Sequence, residues 1–259
     1  MLKHKVIKLA SVLYYLLLSA KVGTVFCEKS TKILKAGRVE NTFISPCWVA
    51  PVHPFVSSLI IAPVITLAGA TVCNIFQGGR PGHYLGQSQE EILGCPPKQA
   101  SVADLEKLSK FEFMQLFYAS PMVVLDGSVQ GNWEGKILPI GVLHLVTKFI
   151  TDYLFGAGKW CGKAVDPSSC TGINLFAQDK SAISMREFDT CIDCSLYDGR
   201  PILLFSYKSK NLFPYNTMRD EVRKVNDKLL IGLGSMSVFG GHLNSASFVL
   251  KRSNPTLKE

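Results

Sequence analysis

The chain has 259 residues, 47% of them hydrophobic and 19% charged, with a mean hydropathy of +0.20. The charged share lies below the roughly 25% usual for soluble domains, so some of the apolar length is not soluble core. The formal net charge of +8 is uneven, because Lys3, Lys5, Lys8 and Lys21 stand in the first 21 residues without an acid. The +4 that remains, with no Lys/Arg block interleaved with aromatics, argues against a nucleic-acid partner.

In chain order, residues 1–27 come first. A basic start precedes an apolar run from Leu9 to Ala20, and Val25-Phe26-Cys27 offers a cleavage position. That length suits a signal peptide better than a bilayer span, so 1–27 is read as a signal peptide or N-terminal anchor. It points to the secretory pathway, with a membrane-associated or secreted product. Residues 28–99 form an apolar segment. No Asp, Glu, Lys or Arg occurs between Asn41 and Gly79, and 54–76 is nearly long enough to span a bilayer, with Pro63 kinking it. It is expected either to associate with a membrane or to cover the domain that follows.

Eight cysteines (27, 47, 73, 95, 161, 170, 191 and 194) fit an oxidising compartment, and Cys161–Cys170 closes the shortest convenient disulfide loop. Cys191-Ile-Asp-Cys194 has redox or zinc spacing. Its flanks alternate like a strand, however, and neither a second CxxC nor a His pair accompanies it, so these are read as structural cysteines and no metal is expected.

Residues 100–259 change in texture. Ser101 with Asp104 opens a helix on which Leu105, Leu108, Phe111 or Phe113, Leu116 and Phe117 recur near helical spacing, stopped by Pro121. Short strand-like runs follow at 128–140, 158–166, 172–178, 182–189, 190–198, 200–208, 218–226, 228–236 and 246–252. Asp198-Gly199 and Asn226-Asp227 are expected as two-residue hairpin turns. Between the first two runs, 141–156 reads as an amphipathic helix with Val142, Leu145, Phe149 and Tyr153 on one face. The chain is therefore expected to be mainly β: a closed antiparallel lipocalin-like β-barrel with a preceding helix, one inserted helix and an N-terminal apolar segment. Glycine-rich nucleotide loops, HExxH and GxSxG are absent, and no cofactor is implied.

Gly131-Asn132-Trp133-Glu134-Gly135 reads G-x-W-x-G, and Trp160-Cys161-Gly162-Lys163 reads W-x-GK. LYDGRPI (196–202) and RDEVRKVNDKLLIGLGSM (219–236) come later. This order resembles the uncharacterised GXWXG-type proteins over about 128–236, with Val222 and Asn226 departing from their pattern. A looser similarity is to lipocalins, where a G-x-W on the first strand closes one barrel end and an Arg on a late strand stacks on the Trp. Gly131, Trp133 and Arg252 or Arg223 match those positions. Both resemblances imply a β-barrel with an apolar interior, and neither implies a reaction.

Such a barrel suits a hydrophobic small molecule (a lipid, isoprenoid or pigment), with Trp133, Trp160, Phe176, Phe205 and Tyr207 lining or closing the cavity. Along MRDEVRKVN, Arg219, Glu221 and Arg223 share one face and Asp220, Val222 and Lys224 the other. A charged face ordinarily meets solvent. The functional alternative turns Arg219 or Arg223 inward to orient a ligand's polar end. An isomerase, cyclase or hydrolase acting on such a ligand would use His144 with an acid such as Asp189. A third possibility is a structural membrane-associated module without a cavity. The oligomeric state is open.

Overall fold

A computed structural model describes residues 67–79, 81–178 and 181–253. The expectations for 1–66, including the signal peptide or anchor, Cys27 and Cys47, lie outside the described residues. Eight antiparallel strands form a closed meander: β1 Gly131–Ile137, β2 Lys159–Asp166, β3 Thr171–Gln178, β4 Ser181–Cys194, β5 Pro201–Ser206, β6 Met218–Asn226, β7 Leu229–Met236 and β8 Ala246–Arg252. Each pairs with the next, and β8 returns to β1 with Trp133 opposite Arg252 and Ile137 opposite Phe248. The barrel expected from the sequence is the fold observed.

Two expected strands, 182–189 and 190–198, are one. The 14-residue β4 runs through both because a bulge opposite Ile173/Asn174 absorbs the irregularity, with Arg186 at φ 60. The single helix expected after Ser101 is two, Val102–Leu105 and Lys110–Ala119. Each opens on its own capping box, Ser101/Asp104 and Ser109/Glu112. The inserted helix spans His144–Tyr153.

The barrel wall packs on both sides over half its circumference. Inside, Trp133, Trp160, Phe176, Phe188, Leu203, Phe205, Val222, Leu230, Phe248 and Leu250 make one core. Outside, Phe113, Met114, Leu116, Phe117 and Tyr118 of the helix Lys110–Ala119 pack on Ile202, Leu204, Ile231, Leu233 and Val249 of β5, β7 and β8. A strand buried on both faces reads as a continuous apolar run rather than an alternation. That explains ILLF in β5 and LLIGL in β7, which are buried throughout.

Large rings fit inside because glycines on neighbouring strands leave them seats. A Cβ at Gly172 would lie 2.3 Å from the Phe188 ring, and one at Gly232 would lie 2.1 Å from that of Phe248.

The expected Cys161–Cys170 disulfide is not formed, and the six described cysteines are all free. Cys161 lies at a bulge near the start of β2 and Cys170 in the turn beyond its end, so the extended strand holds them apart. A disulfide requires Cα atoms within about 7 Å. Cys191 and Cys194, three apart on β4, point to opposite faces and do not act as one dithiol.

Candidate functional site

The most chemically loaded place in the molecule is the centre of the barrel. Lys163 of β2 is 2% exposed, and its ammonium donates three hydrogen bonds: to Asn174 Oδ1 at 2.7 Å, Tyr207 OH at 2.6 Å and Asp220 Oδ2 at 2.8 Å. Tyr207 donates to Asp220 Oδ2 at 2.9 Å and accepts from Asn174 Nδ2 at 3.0 Å. Asn174 Nδ2 also donates to the Arg186 carbonyl, and Trp160 Nε1 donates to Asn174 Oδ1 at 3.0 Å. Lys163, Tyr207 and Asn174 thus use every hydrogen they can donate.

Five ring centroids, those of Trp160, Phe188, Phe205, Tyr207 and Phe248, lie 4.9 to 5.8 Å from Nζ. Cation–π attraction therefore adds to the Asp220 ion pair. Burial pushes the Lys163 ammonium down from its ordinary range, and Asp220 partly restores it. Burial, then the Asp220 charge, pushes the Tyr207 phenol well above its usual value, so it stays a donor.

The local sequence builds this cluster through an exception to strand periodicity. Trp160 and Lys163 are three residues apart, which ordinarily sets side chains on opposite faces. The register shift between Trp160 and Gly162 inserts one residue, so both point inward. Gly162 fits there because a Cβ would lie 1.9 Å from the Trp133 carbonyl oxygen. On β6, Asp220 and Val222 alternate inward without interruption.

The two barrel ends differ. At one, Trp133 is 1% exposed, donates Nε1–H to the Val129 carbonyl at 2.9 Å, and carries the Arg252 guanidinium 4.5 Å from its ring centroid. This is the Trp–Arg pairing implied by the lipocalin resemblance, with Arg252 rather than Arg223 in the role. At the other end, the segment after the helix His144–Tyr153 inserts Phe155 against Phe176, Tyr207 and Tyr215. Arg186 Nε holds the Phe155 carbonyl at 2.8 Å, and the Arg186 guanidinium lies 3.7 Å from the Tyr215 ring centroid.

Of the residues singled out from the sequence, Trp133, Trp160, Phe176, Phe205 and Tyr207 all face the interior. Arg219 and Arg223 do not. Both lie on the outer face of β6 and clamp the β4–β5 connection. Arg219 pairs with Asp193, Glu221 and the Cys194 carbonyl. Arg223, 1% exposed, forks onto both Asp198 oxygens at 2.7 and 2.9 Å and donates to the Phe117 carbonyl. Burial raises the Asp198 carboxyl, but the Arg223 and Arg200 hydrogen bonds outweigh it and hold it below the usual range.

Of the charged face expected to meet solvent, Arg223 is covered by the helix Lys110–Ala119, whose backbone carbonyls receive it, while Arg219 stays partly exposed beside the half-exposed Asp193. His144 bonds the Gly141 carbonyl through Nδ1, while Asp189 pairs with Ser209 and Lys210. The two share no contact among the described residues. Nor do three His, Cys, Asp or Glu side chains converge as a metal site among them.

Lys163, Asn174, Asp220, Phe155, Phe188 and Phe248 escaped the sequence reading. The Lys of W-x-GK and the alternation of Asp220 with Val222 were the available signals.

No family model matches the chain, and no curated protein matches it. A solved structure described as a protein from Thermomonospora curvata is similar over 61% of this chain and 91% of its own, at 18% identity and a TM-score of 0.41.

Proposed function

We propose that the barrel is a lidded, lipocalin-like module for a small apolar molecule with one polar end, of the lipid, isoprenoid or pigment type. It would occupy the position of the Phe155 ring. One observation carries this: Phe155 reaches the interior from a segment whose helix, His144–Tyr153, buries no residue of its own. An element with so little burial opens locally at far lower cost than the whole fold.

Beneath Phe155 lies Tyr207, whose hydroxyl belongs to the Lys163 cluster. A ligand carbonyl or carboxylate exchanges one for one with a partner of that ammonium, so no buried donor is left unmade. Lys163 takes the orienting role that the sequence suggested for Arg219 or Arg223.

Titration with a fluorescent fatty acid tests this. Saturable binding of one probe per chain is expected, tightening about tenfold in Phe155→Ala and losing its preference for a carboxylate end in Lys163→Met. Absence of saturable binding to both the unmodified chain and Phe155→Ala overturns the reading. It would instead favour a packed structural barrel, which the completed Lys163 hydrogen bonds and the glycine-seated rings also support.

A further inference from the structure

Two helical segments beside the lid end turn polar side chains inward while leaving large apolar ones exposed. The first, 67–74 continued by the turn Ile75–Gly79, directs Thr71 and Asn74 inward. Asn74 is 2% exposed and donates to the Leu243 carbonyl, and Thr71 Oγ1 accepts from Asn244 at 2.7 Å. Two large apolar residues face out, Val72 at 51% and Phe76 at 86% exposure, next to the exposed Gln77.

The second, the helix His144–Tyr153, turns His144 and Thr147 into the crevice that Asn74 lines from the other side. It leaves Leu145 at 68%, Val146 at 51% and Tyr153 at 61% exposed, with the exposed Lys148, paired to Asp152, as the cation among them. Gly141, at the start of this segment, lies against Asn74 and Gln77, so the two elements are neighbours.

Polar groups inside and apolar side chains outside are what a segment shows when its outer solvent is hydrocarbon. In water, an apolar patch shared by two adjacent elements marks an interaction surface. The sequence names the occupant. Phe76 ends the apolar run 54–76, and the sequence from Asn41 to Gly79 carries no Asp, Glu, Lys or Arg, a composition suited to lipid rather than to a charged partner. Among the described residues no helix is long and apolar enough to cross a membrane, so the contact is one of lying on the surface.

We infer that Val72, Phe76, Leu145, Val146 and Tyr153 form a face that docks on a lipid bilayer, with the lid helix flat in the interface. This does not depend on the barrel taking a ligand, although an apolar ligand would then meet the lid from the membrane side.

The test uses the full chain on phosphatidylcholine vesicles whose acyl chains are brominated to quench tryptophan. Leu145→Trp is compared with Ile192→Trp, another exposed apolar position, at the opposite end of β4. Quenching of the added tryptophan in Leu145→Trp at least about twice that in Ile192→Trp is expected. Hydrogen exchange over 142–153 should also slow about tenfold on vesicle addition, and Leu145→Asp with Val146→Asp should abolish that slowing while the chain stays folded.

Equal quenching at the two positions, with the chain sedimenting on vesicles, overturns the inference, because the membrane contact then lies elsewhere. Slowed exchange that follows protein concentration rather than lipid also overturns it and assigns the face to a second copy of the chain.

Discussion

Among the described residues two lysines are buried, and the fold treats them oppositely. Lys163, inside the barrel, has a carboxylate, a phenol and an amide at 2.6 to 2.8 Å and five rings around it. Lys110, between the helix Lys110–Ala119 and the outer wall, is 4% exposed and has, among the described residues, the Ser245 carbonyl and Ser247 Oγ, both at 3.3 Å, and no carboxylate. Burial alone drives its ammonium down to about 8. The interior cluster is a completed ion pair, whereas the outer layer holds a cation without a counter-charge. The difference teaches where charge is built into this fold and where it is merely endured. A buried pair fails when one partner is removed, but an uncompensated buried charge is relieved by removing it.

The largest effect should come from breaking the completed pair. Asp220→Ala strands the Lys163 ammonium and is expected to lower unfolding stability by about 3–5 kcal/mol, read from urea denaturation. Adding Lys163→Met to it should recover much of that loss. A single-variant cost under about 1 kcal/mol would mean that the pair carries little charge.

Next comes Lys110→Met, expected to stabilise the chain near neutral pH by about 1–3 kcal/mol. The folded ammonium titrates near 8 and the unfolded one near 10.5, so between those values the unfolded chain binds more protons and stability rises with pH. The penalty is therefore full below pH 8 and relieved toward pH 10.5. Since other groups titrate in both proteins, the quantity to read is the difference between them. The gap should narrow over that window, and a constant gap would assign the Met effect to packing instead.

A smaller contrast separates the two arginines of β6. Arg223→Lys keeps the charge but loses the fork onto Asp198, costing about 1–3 kcal/mol. Arg219→Lys, which keeps a cation beside the buried Glu221 and the half-exposed Asp193, should cost less than about 1 kcal/mol. Equal losses would show that burial does not distinguish them. Smallest of all, His144→Gln should shift stability by no more than about 0.5 kcal/mol, since its one hydrogen bond is local, to Gly141.

The barrel was legible because its turns carry turn residues. Asp198-Gly199, however, expected as a two-residue hairpin turn, lies within the longer connection 195–200, with Gly199 at φ 71. The β6–β7 turn is Asp227-Lys228, one residue later than expected. The Trp133–Arg252 contact was legible only as what the lipocalin resemblance implies, which left Arg223 open as the partner. The interior cluster was not, for a physical reason. Strand periodicity assigns faces by counting in twos, and one bulged residue at Trp160/Gly162 reverses every later assignment on that strand. Arg219 and Arg223 were misplaced for a different reason. A row of charges on a strand looks the same whether water or a helix lies over it. The carbonyls of the helix Lys110–Ala119, more than a hundred residues away in sequence, decide the matter for Arg223, and the β4 residues Asp193 and Cys194 decide it for Arg219. The amphipathicity of the inserted helix was read correctly, while its outward orientation lies in tertiary structure alone.

The pairing of β1 with β8 also orders events during synthesis. Strands β1 to β7 form a chain of nearest neighbours, but closure needs Ala246–Arg252, more than a hundred residues after Trp133. Until that last strand leaves the ribosome, the nascent sheet has two open edges, and the rings around Lys163 lack Phe248 and Leu250. The polypeptide thus spends most of its translation with an unfinished wall, and this interval is when a chaperone has most to cover.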